Sequence, residues 1–185
     1  MEPIEQLSVI VPAVCDMVDR IPYSLLIEPT ACDKFSVHDV LNHMIVGGGT
    51  FSYLFRGEEP PVVTPPFVYG WVPAAELRAS LYELMDAVRS PGAMERIIAT
   101  PVGPLPGDTF ARFVAFDGLV HGWDLATATG LRLQVSDEIV EDVAAFALQA
   151  IAPDMRDGDT FKAEVVPADG ATPLQRLAAF SGRAA

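Results

Sequence analysis

The stretch from Asp108 to Gly130 constrains this chain most. Phe113, Val114, Val120 and Leu125 recur at helical spacing, and two polar residues, Asp117 and His121, fall on the same stripe. Residues four apart lie only about 40° from one another around a helix, one above the other, so both side chains can converge on one point. A lone carboxylate among apolar neighbours is costly unless it is protonated, paired or bound to a cation. The fold therefore has to supply Asp117 with a partner. The spacing predicts a helix beginning at Asp108 or Thr109, with Gly130 as its left-handed C-cap.

Other helices follow from the same periodicity. Ile4, Leu7, Val11, Val14, Val18 and Ile21 predict a helix from Pro3 to Ile21, with Pro3 suited to a first turn. Ser36 and Asp39 form a short-armed capping box for a second helix running to Arg56. Gly47-Gly48-Gly49 inside it costs roughly 1 kcal/mol per residue relative to Ala, so these glycines allow close approach of a helix or a ligand, or mark a kink. A third helix opens at Pro73-Ala74-Ala75-Glu76 and stops near Pro91-Gly92. From Glu95 to Pro106 short apolar pieces (Ile97-Ile98, Val102, Leu105) alternate with Pro and Gly, predicting extended or hairpin structure. Ser136 caps a fifth helix reaching about Ala152, and Phe161 to Val166 is expected to be a short strand. Pro60, Pro61, Pro65 and Pro66 form one Pro-rich loop. The expected fold class is mainly α: one domain over residues 1–185, a four-helix bundle with an extra C-terminal helix and a short β hairpin or strand appendage.

Composition excludes several functions. The formal net charge is −13, from 25 acidic against 12 basic residues, which disfavours nucleic acid and anionic lipid as partners. No segment approaches the roughly 18 uninterrupted apolar residues of a membrane span. The N-terminus, Met1-Glu2-Pro3-Ile4-Glu5, lacks the basic start and apolar run of a secretory signal, so a cytoplasmic address is expected. Cys15 and Cys32 have no ligand-like spacing and read as packed thiols.

His43 falls between Val40 and Gly47 on the second helix's apolar stripe, where its ring nitrogens need partners. Two imidazoles and a carboxylate are ligands that zinc accepts, and three protein ligands leave a fourth position open. Spacing alone also fits a simpler arrangement, in which Asp117 pairs with His121 and His43 is a satisfied core histidine. His38 lies roughly 140° from His43 around the helix and reads as exposed, outside any shared site. Asp124, one turn past His121, either orients a ligand or a water as a hydrogen-bond acceptor or makes a helix-surface or interhelical hydrogen bond. Trp123 reads as packing.

Phe35-Ser36-Val37-His38-Asp39-Val40-Leu41-Asn42-His43 resembles the first signature of the mycothiol-dependent maleylpyruvate isomerase N-terminal domain family, which is related to the DinB and YfiT-like metalloproteins. Asp117 through Gly130 resembles the family's second signature, and Thr172 through Arg183 resembles the ending of its actinobacterial metal-binding branch. The resemblance implies a DinB-like four-helix bundle and a divalent ion, zinc by preference, on His43, Asp117 and His121. Phe35 replaces the usual Trp, and Asp117 replaces the isomerase's Glu, a shorter arm. The isomerase also carries a further C-terminal domain that 185 residues do not accommodate, so maleylpyruvate is not the expected substrate.

By the resemblance, the open metal position takes a low-molecular-weight thiol, since coordination keeps sulfur as the nucleophilic thiolate. The expected function is a metal-dependent thiol transferase or isomerase acting on a small electrophile, with mycothiol as cosubstrate. A metal-dependent hydrolase with Asp124 or Glu138 as base is the second reading. The third is a non-catalytic small-ligand binder with a pocket at Gly47 to Gly49, Phe51, Tyr53, Phe55 and Trp71. A homodimer is left open.

Overall fold

The computed structural model describes residues 1–33, 35–61, 73–100, 103–156, 158 and 161–184; Pro65, Pro66, Trp71 and Val102 lie outside them. Six α-helices account for most of the described residues: α1 (Pro3–Val18), α2 (Val37–Arg56), α3 (Pro73–Val88), α4 (Gly107–Thr129), α5 (Asp137–Ala150) and α6 (Pro173–Phe180). Between α3 and α4 stands an antiparallel hairpin, β1 (Ile97–Thr100) and β2 (Gly103–Pro106), pairing Ile98 with Leu105. Single 3-10 turns occur at Tyr23–Leu25 and Pro153–Met155.

α1 to α4 form a four-helix bundle in which α2 packs along α3 and α1 along α4, with α1–α3 and α2–α4 contacts closing the ring. Its centre is filled by Leu7, Ile10 and Val14 of α1, Val40, Leu41 and Phe55 of α2, Leu77 and Leu84 of α3, and Leu119 of α4, all essentially inaccessible. Each such side chain contributes about 1.5–3 kcal/mol of burial. α5 and α6 pack against each other and against α4 from outside the ring. As a result α4 is covered on nearly every side, and residues 119–125 are buried without a break. Two of its glycines receive neighbours: a Cβ at Gly118 would lie 3.3 Å from Ile10, and one at Gly122 would lie 2.8 Å from Leu133.

The helix boundaries trace to the residues that close backbone groups. Ser36 Oγ accepts the Asp39 N–H at 3.2 Å while the Ser36 N–H donates to Asp39 Oδ2 at 2.9 Å, so the capping box starts α2, and Gly57 ends it at φ 76°. Gly130 closes α4 at φ 71°, and Ser136 Oγ caps α5. The three glycines of α2 have different surroundings. Gly48 is a close-approach point, where a Cβ would meet Ser80 Oγ at 2.6 Å, whereas one at Gly47 would meet only the Phe51 ring at 3.6 Å.

Three expectations are corrected. α1 stops at Val18 rather than Ile21, and α5 at Ala150 rather than Ala152. Phe161 to Val166 forms no strand; the Val165 N–H donates to the Ala179 carbonyl at the end of α6 instead of to a neighbouring strand. α6, which the expected elements did not include although Leu174, Leu177 and Ala178 recur at helical spacing, is held by its own capping box at Thr172 and Gln175. No helix among the described residues is long and apolar enough to cross a membrane.

Candidate metal centre

α2 and α4, packed side by side, bring the residues of the two signature-like segments together. His43 Nε2 lies 3.8 Å from Asp117 Oδ1, and His121 Nε2 lies 3.4 Å from the same oxygen. The two imidazoles meet nearly edge to face, with centroids 4.7 Å apart. One donor atom from each of His43, Asp117 and His121 falls within 4.8 Å of the others. Around a tetrahedral ion with bonds of about 2.0–2.1 Å, ligand atoms stand roughly 3.3–3.4 Å apart. The His121–Asp117 edge already has that length, and the His43–Asp117 edge needs a small rotation of an exposed imidazole. The donor set and its spacing fit a divalent cation.

The burial of these groups differs from the sequence expectation. His43 was expected to face inward and Asp117 to be buried, yet their side chains are 45% and 43% exposed, while His121 is 7% exposed. The three groups thus stand at the mouth of the α2–α4 contact, with His121 at the bottom. His38 is half-buried rather than exposed, and it is not one of the clustered donor residues.

Burial by itself would depress the His121 imidazolium, but the Asp117 charge and hydrogen bond, with help from Asp124, outweigh it and push its pKa up to about 9. Burial would likewise raise Asp117, and the two imidazoles override it, holding the carboxyl well below the usual carboxylate range. Without an ion, Asp117 is paired with His121. A metal therefore has to displace a proton from that ring.

Behind His121 the ring's other nitrogen, Nδ1, lies 3.0 Å from Asp124 Oδ2. An ionised carboxylate only accepts, so Nδ1 carries the proton and Nε2 is the nitrogen turned toward Asp117 and His43. Asp124 is fully buried, and the Arg183 guanidinium grips it from the C-terminal segment, Nε to Oδ1 at 3.3 Å and Nη2 to Oδ2 at 3.1 Å. With no solvent access and both oxygens engaged, Asp124 orients His121 and is closed off as a base for water. Glu138, the other base considered, is exposed in the first turn of α5 and outside the cluster.

Two residues here escaped the sequence reading. Arg183 belongs to the C-terminal segment Thr172 to Arg183, and nothing in that segment's sequence points to Asp124. Cys32 Sγ comes within 4.8 Å of a His121 nitrogen and an Asp124 oxygen, an approach no spacing rule signals. Burial pushes its thiol up, with the Arg183 charge opposing, so it stays protonated behind the ring.

The pocket imagined at the glycines is small. A cavity of about 30 Å³ touches Gly47, Gly48, Phe51 and Asp117, room for roughly two waters. Phe55 stacks on Phe110 in the core, with ring centroids 5.4 Å apart. Trp123, as expected, is packing, only 6% exposed.

No established protein-family profile matches the chain, and no solved structure does. Two curated proteins from strains of Mycobacterium tuberculosis do: Uncharacterized protein MT0763 and Uncharacterized protein Rv0738, each 32% identical over 157 residues, covering 84% of this chain and 83% of the relative. With a third of the aligned positions shared over most of both lengths, the chain belongs to the same family as these two mycobacterial proteins.

Proposed function

We propose that this protein binds one divalent metal ion, zinc by preference, on His43, Asp117 and His121, and acts as a metal-dependent thiol transferase or isomerase on a small electrophile, with mycothiol as the thiol. The observation that carries the reading is the convergence of three donor atoms from two helices at ligand-like spacing. The resemblance of the same residues to two metalloprotein signatures supports it, and so does the family's presence in a mycobacterium. A bound ion would supply a positive centre that keeps a thiol sulfur as thiolate.

The chain's own residues have defined tasks in this reading. Asp117 offsets part of the cation's charge, and Asp124 fixes the proton on Nδ1 of His121 so that Nε2 is free to bind. His43 and Asp117, nearly half exposed, leave the outer side of the site accessible to a small molecule. The protein's own thiols are poor nucleophiles, because burial pushes both up, Cys15 to about 11. The reacting sulfur therefore comes from outside the chain. A small-molecule substrate, no nucleic acid partner and a cytoplasmic setting complete the proposal.

The test is thiol binding to cobalt-loaded protein. Mycothiol added to the loaded protein is expected to produce a thiolate-to-cobalt charge-transfer band that is absent in His43→Ala. A fully loaded protein whose spectrum ignores mycothiol contradicts the thiol assignment.

A further inference from the structure

The C-terminal segment ends in a conformation that has one evident product, the placement of a guanidinium. α6 closes in a Schellman motif: the Gly182 N–H donates to the Ala179 carbonyl and the Arg183 N–H to the Ala178 carbonyl, both at 3.0 Å. Gly182 has φ 89°, and a Cβ there would lie 2.5 Å from Lys162 Cβ and 2.9 Å from the Ala163 carbonyl oxygen. Only glycine fits this turn, which folds the chain back against residues 162–163 and aims Arg183 at α4. The arginine side chain is 13% exposed and the carboxylate it meets is fully buried. Nη1 is held in turn by the Ser181 carbonyl at 3.3 Å.

We propose that Arg183 is a positioning residue for the metal centre, acting through Asp124 on His121. The proposal rests on the metal reading above. A carboxylate held by a single partner can rotate; one gripped on both oxygens by a planar fork cannot. Asp124 Oδ2 is thereby fixed 3.0 Å from His121 Nδ1, and the ring plane is set with Nε2 toward Asp117 and His43. The tail after α6, far from α4 in sequence, becomes part of the metal site without touching the ion.

The test uses the full chain and cobalt(II) as the probe, titrated into wild type, Asp124→Asn, Arg183→Met, Arg183→Lys and the Asp124→Asn/Arg183→Met double variant. Arg183→Met is expected to weaken cobalt binding about 10–100-fold, as Asp124→Asn does. The double variant is expected to bind no more weakly than Asp124→Asn alone, because both act through one ring. Lysine, a single donor in place of a fork, recovers only part of the loss. Wild-type cobalt affinity in a folded Arg183→Met protein overturns the proposal, as do losses that multiply in the double variant. Should the wild type bind no cobalt, the metal reading fails by itself. The positioning claim is then decided by the His121 Nδ1–H proton resonance of the metal-free protein. Protection from exchange in wild type and its loss in Arg183→Met uphold the claim, and identical resonances overturn it.

Discussion

His43 of α2 and His121 of α4 meet with ring centroids 4.7 Å apart and planes inclined at 65°, the Asp117 carboxylate lying against both. One ring is exposed and the other sealed, so they share a site in unequal roles. Without an ion, the sealed ring holds a proton against Asp117.

The pH dependence of the metal-free protein follows from that proton. The His121 pKa is raised from about 6.5 unfolded to about 9 folded, so the pair's stabilisation is fully present below the unfolded value. It is lost as pH rises through the folded one. Because Asp117 is nearly half exposed and screened, the contribution is on the order of 1 kcal/mol, roughly 2–4 °C in Tm for a chain of this size. Thermal melts of wild type and Asp117→Asn under chelation should differ by that amount near pH 6 and converge above pH 9. A wild-type advantage that grows with pH would contradict the ion pair.

The glycine run on α2 makes a second prediction. Gly48→Ala places a methyl 2.6 Å from Ser80 Oγ, which itself donates to the Ile45 carbonyl at 2.7 Å. The overpacking costs about 1–3 kcal/mol, offset by about 1 kcal/mol of helix propensity. Gly47→Ala meets only ordinary contact with Phe51 and keeps the propensity gain. Urea midpoints should therefore fall for Gly48→Ala and hold or rise for Gly47→Ala, and the reverse order would refute the packing described.

Neither cysteine should react readily near neutral pH. Burial pushes Cys15 to about 11 and raises Cys32 as well. Iodoacetamide followed by mass spectrometry should find Cys32, the partly exposed thiol, labelled before Cys15, and both more slowly than a free thiol. Rapid labelling of Cys32 would mark it as a thiolate and undo the argument that the reacting sulfur comes from outside.

Local chemistry made much of this legible in advance. The Ser36 box, the Gly130 cap and the Asp117/His121 step are short-range features, and each leads to the element or pairing expected of it. What escaped is long-range. His43 reads as buried because its neighbours Val40 and Met44 are, but the stripe reaches the bundle's mouth at that ring. Phe161 to Val166 has strand-like composition, yet the backbone groups near it belong to the end of α6. The Asp124–Arg183 contact depends on how a glycine turn folds the tail, and no periodicity carries that information.

Metal content tests the central claim most directly. Protein purified without a histidine tag, dialysed against zinc and then against metal-free buffer, should retain about one ion per chain by elemental analysis. His43→Ala and Asp117→Ala should retain little. A folded wild-type protein that keeps no zinc, or an Asp117→Ala variant that keeps as much as wild type, would contradict a metal centre at these residues.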